Sequence, residues 1–84
     1  MKAITAEYFG PRERNGSRIV ARDADGNRVY SSVDVRLRIE ENVDQTVIKL
    51  CQKMKWSGIM VRGRIGLLWV YVWLDENEML EVPK

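Results

Sequence analysis

The side chains of this 84-residue chain that are best suited to chemistry are arginines and aromatic residues, because the sequence has no histidine and a single cysteine, Cys51. Histidine is the commonest general base and the commonest neutral metal ligand, so its absence disfavours acid–base and metal chemistry. No group of residues has the spacing of a zinc site, and no glycine-rich loop has the form that binds phosphate. We therefore expect a protein with no catalytic residue, no metal and no cofactor.

The first candidate for a binding site is a group of arginines in and beside a polar loop predicted over residues 10–16. It consists of Arg12, Arg14, Arg18 and Arg22. Each guanidinium can donate two hydrogen bonds to one phosphate or carboxylate, so the group suits an anionic partner. The alternative is that these arginines are solvated and that Arg18 forms an ion pair with Asp34.

The second candidate is a row of aromatic side chains on one face of the predicted last strand, formed by Trp69, Tyr71 and Trp73. Aromatic rings beside arginines on an open sheet can stack against the bases of single-stranded nucleic acid. Tryptophan, tyrosine and arginine are also over-represented at the centres of protein interfaces. Because an uncovered row with two tryptophans is a large apolar patch, the alternative is that a second subunit, the first strand or the tail covers it.

The periodicity of apolar residues predicts an α+β fold that positions these groups. Alternation indicates strands over 3–9, 17–24, 28–39, 59–64 and 67–74, and helical spacing indicates one helix over 42–56. The element order is therefore β-β-β-α-β-β in one domain, residues 1–84, with residues 75–84 as an acidic C-terminal tail. One helix can cover only one face of the antiparallel sheet, which leaves the other face for partners.

The helix is expected to begin with a capping box of Asn42 and Gln45, which lie three residues apart. Its apolar stripe is predicted to pack against the aliphatic sides of the strands. The stripe consists of Val43, Val47, Leu50, Cys51 and Met54. On this stripe, Cys51 is better explained as a buried structural thiol than as a nucleophile.

The pairing of the second and third strands follows from their alternating patterns. Residues 25–27, Asp-Gly-Asn, are a hairpin signal, and a three-residue loop pairs the apolar residues of the two strands with each other. In this register Arg18 lies opposite Asp34. Four residues further along, Arg22 lies opposite Tyr30.

The aliphatic side of the last strand, at positions 68, 70, 72 and 74, is expected to face the helix. The opposite face then carries the aromatic row together with arginines of other strands, among them Arg38 and Arg62. The residues that we expect to bind a partner are Arg12, Arg14, Arg18, Arg22, Tyr30, Arg36, Trp69, Tyr71 and Trp73.

The composition gives little information about the partner, since the net charge is only +2. A single cysteine cannot form an internal disulfide, so nothing indicates an oxidising compartment. The N-terminal residues have no apolar core of the length of a signal peptide, and the most apolar run, 65–74, is far shorter than the ~20 residues that cross a bilayer. We expect a soluble protein of the cytoplasm with no membrane partner.

Four stretches of the chain carry a resemblance to known proteins: Gly-Pro at 10–11, Asn-Gly-Ser-Arg-Ile at 15–19, Glu-Asn at 41–42 and Leu-Cys-Gln-Lys-Met-Lys-Trp-Ser-Gly at 50–58. Over most of residues 1–63 the chain resembles a group of short uncharacterised proteins from bacteriophages and mobile elements. That resemblance brings no assigned activity.

The chain is also similar, more loosely, to the small anti-CRISPR inhibitors that phages encode. The similarity lies in Gly16-Ser17, in Met54-Lys55-Trp56 and in the closing hairpin. It implies a non-enzymatic protein of the bacterial host cell that inhibits a CRISPR effector by occupying a nucleic-acid or protein surface. The alternatives are a nucleic-acid-binding accessory protein that uses the basic and aromatic face, and a structural homodimer.

Overall fold

The computed structural model describes residues 3–10, 16–74 and 80–83. The elements follow the predicted order, so the α+β fold with one helix between the third and fourth strands is confirmed. They are β1 Ile4–Phe9, β2 Arg18–Arg22, β3 Arg28–Ser32, α1 Ile39–Met54, β4 Met60–Ile65 and β5 Leu68–Trp73.

The five strands form one antiparallel sheet in the order β3-β2-β1-β5-β4. β1 lies at the centre and pairs with both β2 and β5, although β5 is the last strand of the chain. β3 and β4 are the two edges. The central position of β1 explains why Ile4 and Ala6 are fully buried.

α1 packs across β1, β2 and β3. The predicted stripe of α1 is confirmed, because Val43, Val47 and Leu50 are buried and Cys51 and Met54 pack partly against the core. Burial of each such apolar side chain contributes about 1.5–3 kcal/mol to folding. The core cluster consists of Ile4, Ala6, Ile19, Ala21, Val43, Val47, Leu50, Trp69 and Tyr71.

The β2–β3 hairpin has a longer loop than predicted, and its register is shifted by two residues. Arg18 pairs with Ser32 and Arg22 with Arg28, so the predicted partners, Asp34 and Tyr30, are wrong. The physical reason is Asp23, whose Oδ1 accepts the backbone N–H groups at positions 25 and 27, both at 2.9 Å. These bonds close a loop over residues 23–27 rather than 25–27, and Ala21 lies opposite Val29 while Ile19 lies opposite Ser31.

β3 is much shorter than the predicted strand, since it ends at Ser32 and α1 begins at Ile39. The chain turns between them over residues 33–38. Arg36 and Arg38 therefore do not lie on the sheet, and their predicted place on its polar face is wrong. The guanidinium of Arg36 instead binds the Asp34 carboxylate through two bonds of 3.0 Å.

Asn42 closes this turn from inside the first turn of α1, so the predicted capping box with Gln45 is wrong. The side chain of Asn42 is buried, and its Oδ1 accepts the backbone N–H of Asp34 at 2.7 Å. Its Nδ2 donates to the carbonyl oxygens of Asp34, Leu37 and Arg38 at 3.0, 3.3 and 3.0 Å. The N-cap position itself, Arg38, makes no capping bond through its side chain.

Replacing Asn42→Ala is expected to lower the free energy of unfolding by about 2–3 kcal/mol, because partly buried backbone groups of the turn lose their hydrogen-bond partner. Urea unfolding at neutral pH measures this change. The control is Gln45→Ala, an exposed position of the same helix, which is expected to change stability by less than about 0.5 kcal/mol. Equal costs for the two variants would contradict the role given to Asn42.

Candidate binding surface on the open face of the sheet

The open face is the side of the sheet that α1 does not cover. Side chains alternate along a strand, so the neighbours of the buried residues Ile4, Ala6, Ile19 and Ala21 project to this side. The open face consists of Thr5, Glu7, Phe9, Arg18, Val20, Arg22, Arg28, Tyr30, Ser32, Val61, Gly63, Ile65, Leu68, Val70 and Val72.

The β2–β3 side of the open face carries an Arg–Tyr cluster, which we define as Arg18, Arg22, Arg28 and Tyr30. The Tyr30 side chain is 51% exposed, and the guanidinium carbon of Arg18 lies 5.6 Å from the centre of its ring. Arg22 pairs across the strands with Arg28, and its Nη2 lies 2.7 Å from Oε1 of Glu7. The cluster therefore surrounds one exposed phenol with three guanidiniums, of which Glu7 binds one.

The electrostatic potential of the Arg–Tyr cluster is positive. The pKa of Tyr30 lies below its usual value, chiefly because Arg28 can hydrogen-bond the phenolate, and the charges of Arg28, Arg18 and Arg22 add to this effect. Partial desolvation opposes the shift. A group that stabilises a phenolate in this way also favours other anions, such as carboxylates and phosphates.

The β4–β5 side of the same face is apolar. We define this apolar half as Val61, Ile65, Leu68, Val70 and Val72. Ile65 is 71% exposed and Val61 49% exposed, so much of their surface contacts water. The open face thus combines a basic side with an aliphatic side, and not with the predicted row of aromatic rings.

The prediction that the aromatic row lies on the open face is wrong. Trp69 and Tyr71 are each only 5% exposed and belong to the core beneath α1. Trp73 lies two residues after Tyr71 in the same strand and therefore points to the same side. Trp69 pairs with Ala6 and Tyr71 with Ile4 in the central strand. Because that side of β1 is the core, the pairing decides which face of β5 is buried.

Trp73 and Tyr71 line a groove of about 560 Å³ between α1 and the β4–β5 hairpin. The Trp73 ring meets Trp56 edge to face, with ring centres 6.5 Å apart. The same ring lies close to Gly58, whose φ is 140° and where a Cβ atom would approach it to 3.1 Å. Glycine is therefore required at position 58 both for its backbone conformation and for the space it leaves.

Three polar side chains on the wall of the groove form a network that the sequence did not reveal. Nη1 of Arg62 donates to both carboxylate oxygens of Asp44 at 2.8 Å, and the Tyr71 hydroxyl donates to the same carboxylate. Burial raises the pKa of Tyr71, and the hydrogen bond to Asp44 raises it further. Asp44 and Arg62 are distant along the chain, so no local spacing could have linked them.

The structure brings together only part of the predicted binding set. Arg18, Arg22 and Tyr30 lie on the open face, and Arg28, which the sequence reading missed, joins them there. The signal for Arg28 was its spacing of two residues from Tyr30, which puts both side chains on one face of a strand. Arg12 and Arg14 lie outside the described residues.

Groups with catalytic potential are scarce in the described part of the chain. Within residues 3–10, 16–74 and 80–83, no group of three or more His, Cys, Asp or Glu side chains is placed to hold a metal ion. Burial raises the pKa of the Cys51 thiol, which makes it a poor nucleophile.

The only helix among these residues, α1, is not long and apolar enough to cross a membrane.

No protein-family model, curated protein or solved structure matches this chain. The resemblance to phage proteins and to anti-CRISPR inhibitors therefore stays a hypothesis. The function has to be inferred from the surfaces of the molecule.

The Tyr30 hydroxyl is expected to ionise below its usual pKa of 10.0 because of Arg28. Phenolate absorbance is followed during alkaline titrations of the wild type and of Tyr30→Phe. The difference between the two curves is the signal of Tyr30. Arg28→Gln is expected to raise the pKa of Tyr30 towards its usual value. Arg36→Gln, which removes an equal charge outside the cluster, serves as the control, and equal titrations of the two variants would contradict the assignment.

Stability is expected to fall at alkaline pH because of Tyr71, whose pKa is raised in the folded protein. The contribution of Tyr71 to the free energy of unfolding is complete below about pH 10, where Tyr71 keeps its proton in the unfolded chain as well. This contribution is lost as the pH rises further. Urea unfolding at neutral and at alkaline pH measures the loss. Tyr71→Phe lacks the titrating group, so an equal loss in wild type and variant would assign the effect to other residues.

Proposed function

We propose that this chain is a non-enzymatic binding domain that holds a protein partner on the open face of its sheet and inhibits that partner by occupying its surface. The resemblance to phage-encoded inhibitors supplies the expected class of partner, which is a defence complex of the bacterial host such as a CRISPR effector. Inhibition by occupation needs no catalytic group, and it needs a surface that no other part of the chain covers.

The observation that carries the proposal is that one face of the sheet, the side that α1 does not cover, holds both the Arg–Tyr cluster and the apolar half. Protein interfaces combine an apolar centre with arginine and tyrosine, and these two residue types are enriched among the side chains that dominate affinity. Transfer of exposed aliphatic side chains such as Ile65 and Val61 from water to an apolar partner surface lowers the free energy of the complex. A protein partner accounts for both halves of the face.

The charge of the cluster defines the partner surface further. Three guanidiniums surround Tyr30, and one of them, that of Arg22, binds a carboxylate, Glu7. The complementary surface therefore carries carboxylates beside an aliphatic patch. Tyr30 itself supplies a rigid ring that buries a large area at a small entropic cost, which suits it to the centre of the contact.

A nucleic-acid partner is the second candidate, and the geometry of Tyr30 favours it. An exposed ring between Arg18 and Arg28 can stack with one base while the guanidiniums contact the flanking phosphates. However, Trp69 and Tyr71 are in the core, which removes two of the three rings of the stacking row that the sequence predicted. Nucleic acid also leaves the apolar half unexplained.

We expect tagged wild-type chain to retain a defined protein complex from nuclease-treated lysate of a CRISPR-bearing bacterium. The double variant Arg18→Ala/Tyr30→Ala is expected to retain at least ~10-fold less, because it removes the centre of the contact. Arg36→Ala is the matched control, since it removes an exposed arginine that lies off the open face. Equal retention by wild type and double variant would falsify the proposed surface.

The same preparation separates the two candidates. If nuclease removes all retained material, the nucleic-acid candidate is favoured. Fluorescence anisotropy with labelled oligothymidylate then measures affinity between about 50 and 200 mM salt, where phosphate contacts weaken steeply. A retained complex that survives nuclease and depends weakly on salt supports the protein partner.

A further inference from the structure

β4 is an edge strand of the sheet. β4 runs from Met60 to Ile65 beside β5, and no other strand among the described residues pairs with its outer side. Every β4 side chain after Met60 is exposed. An exposed edge of six residues presents unpaired backbone groups and is a template for a further strand.

The backbone groups that point outward can be assigned. The N–H of Leu74 donates to the carbonyl of Ile59 at 2.8 Å, so the polar groups of Ile59 point towards β5. This direction alternates along an antiparallel strand. The N–H and C=O groups of Met60, Arg62 and Arg64 therefore point away from β5, towards the free edge.

The two arginines of β4 leave that edge open. Charged side chains commonly protect an edge strand from association. Here Arg62 is bound to Asp44 on α1, and the guanidinium of Arg64 lies 4.4 Å from the ring centre of Trp69 on β5. Nε of Arg64 also donates to the carbonyl of Gly66 at 3.0 Å. Both charges are held over the chain's own elements and away from the outward backbone groups.

We propose that a second copy of this chain pairs with β4 in antiparallel orientation, about a two-fold axis at Gly63, and joins two sheets into one. In this register the outward groups of Arg62 bond those of Arg64 of the partner subunit. On the open face, Val61 meets Ile65 of the partner subunit. A Cβ at Gly63 would have no atom of its own chain within 4 Å, so one chain leaves the space beside this glycine free for the approach of the second.

A second copy fits the edge better than an acidic strand of another protein. The Arg62 charge is already bound by Asp44, so the edge offers mainly backbone groups and aliphatic side chains. An interface between identical subunits about a two-fold axis must be complementary to itself. Two copies of β4 meet this requirement, because each supplies the aliphatic side chains that match those of the other. The pairing also brings the two apolar halves side by side and removes Val61 and Ile65 from water.

This surface is distinct from the homodimer interface that the sequence suggested, since Trp69 and Tyr71 of the aromatic row are buried. It also goes beyond the proposed function, because it uses β4 and not the Arg–Tyr cluster. A dimer would present two clusters to a partner, which raises its apparent affinity where both can bind at once.

Sedimentation equilibrium of the purified chain tests the pairing. Wild type is expected to have twice the mass of one chain. Val61→Glu and Ile65→Lys, tested singly, are each expected to weaken dimerisation at least ~10-fold. The double variant Val61→Glu/Ile65→Lys is expected to recover it, because each new carboxylate faces a new ammonium group across the axis.

Several controls make the test specific. Positions 61 and 65 are about 13 Å apart within one strand, so the recovery cannot arise inside one chain. Val35→Lys replaces a side chain that is 92% exposed in the turn before α1 and is expected to leave the dimer intact. Far-UV circular dichroism confirms that each variant is folded. Added salt is expected to change the wild-type dimer little, because Asp44 binds Arg62, Arg64 is held over Trp69, and the contact consists mainly of backbone and aliphatic groups.

A monomeric wild type at the highest soluble concentration would overturn the proposal and leave the edge for a strand of a different protein. Unchanged dimers in both single variants, or no recovery in the double variant, would overturn the register. A dimer that salt weakens would point to an acid–base interface instead. Arg18→Ala/Tyr30→Ala is expected to dimerise normally, so failure of the proposed function and failure of the pairing are distinguishable.

Discussion

The pairing of the central strand β1 with the last strand β5 is the constraint on which the rest of the structure depends. Ala6 lies opposite Trp69, and Ile4 lies opposite Tyr71, with all four side chains in the core beneath α1. The small Ala6 leaves space for the neighbouring indole at the centre of the sheet. The burial of these large rings supplies much of the apolar area that an 84-residue domain needs in order to fold.

The same pairing produces the surface that we assign to binding. Once one side of β5 is committed to the core, its aliphatic side must face outward, beside the arginines of β2 and β3. A single helix cannot cover both sides of a five-stranded sheet, so α1 leaves this mixed face uncovered. The basic and apolar halves thus share one face because the aromatic side of β5 is buried. Both the proposed partner surface and the aliphatic side chains beside the β4 edge follow from this burial.

Polar side chains fix the geometry where the sheet and the helix leave the backbone unpaired. Asp23 holds the β2–β3 loop through its carboxylate, and Asn42 holds the turn before α1 from inside the helix. Each gives a hydrogen-bond partner to partly buried backbone groups that the sheet and the helix leave unpaired. Together they set the register of β2 with β3 and the point at which β3 ends. Because β3 ends at Ser32, Arg36 does not lie on the open face.

The periodicity of the chain was sufficient for the α+β class, the element order and the buried stripe of α1, because amphipathic spacing is a local property. It also placed Arg18, Arg22 and Tyr30 on one face, since alternation needs no long-range information. The faces of β5 and the end of β3 were decided only in three dimensions. β5 is apolar on both sides, so only its contact with β1 could select which side is buried. The alternating pattern of β3 continues past Ser32 to Ile39, but the strand ends at Ser32, where the chain turns and the buried side chain of Asn42 binds the turn.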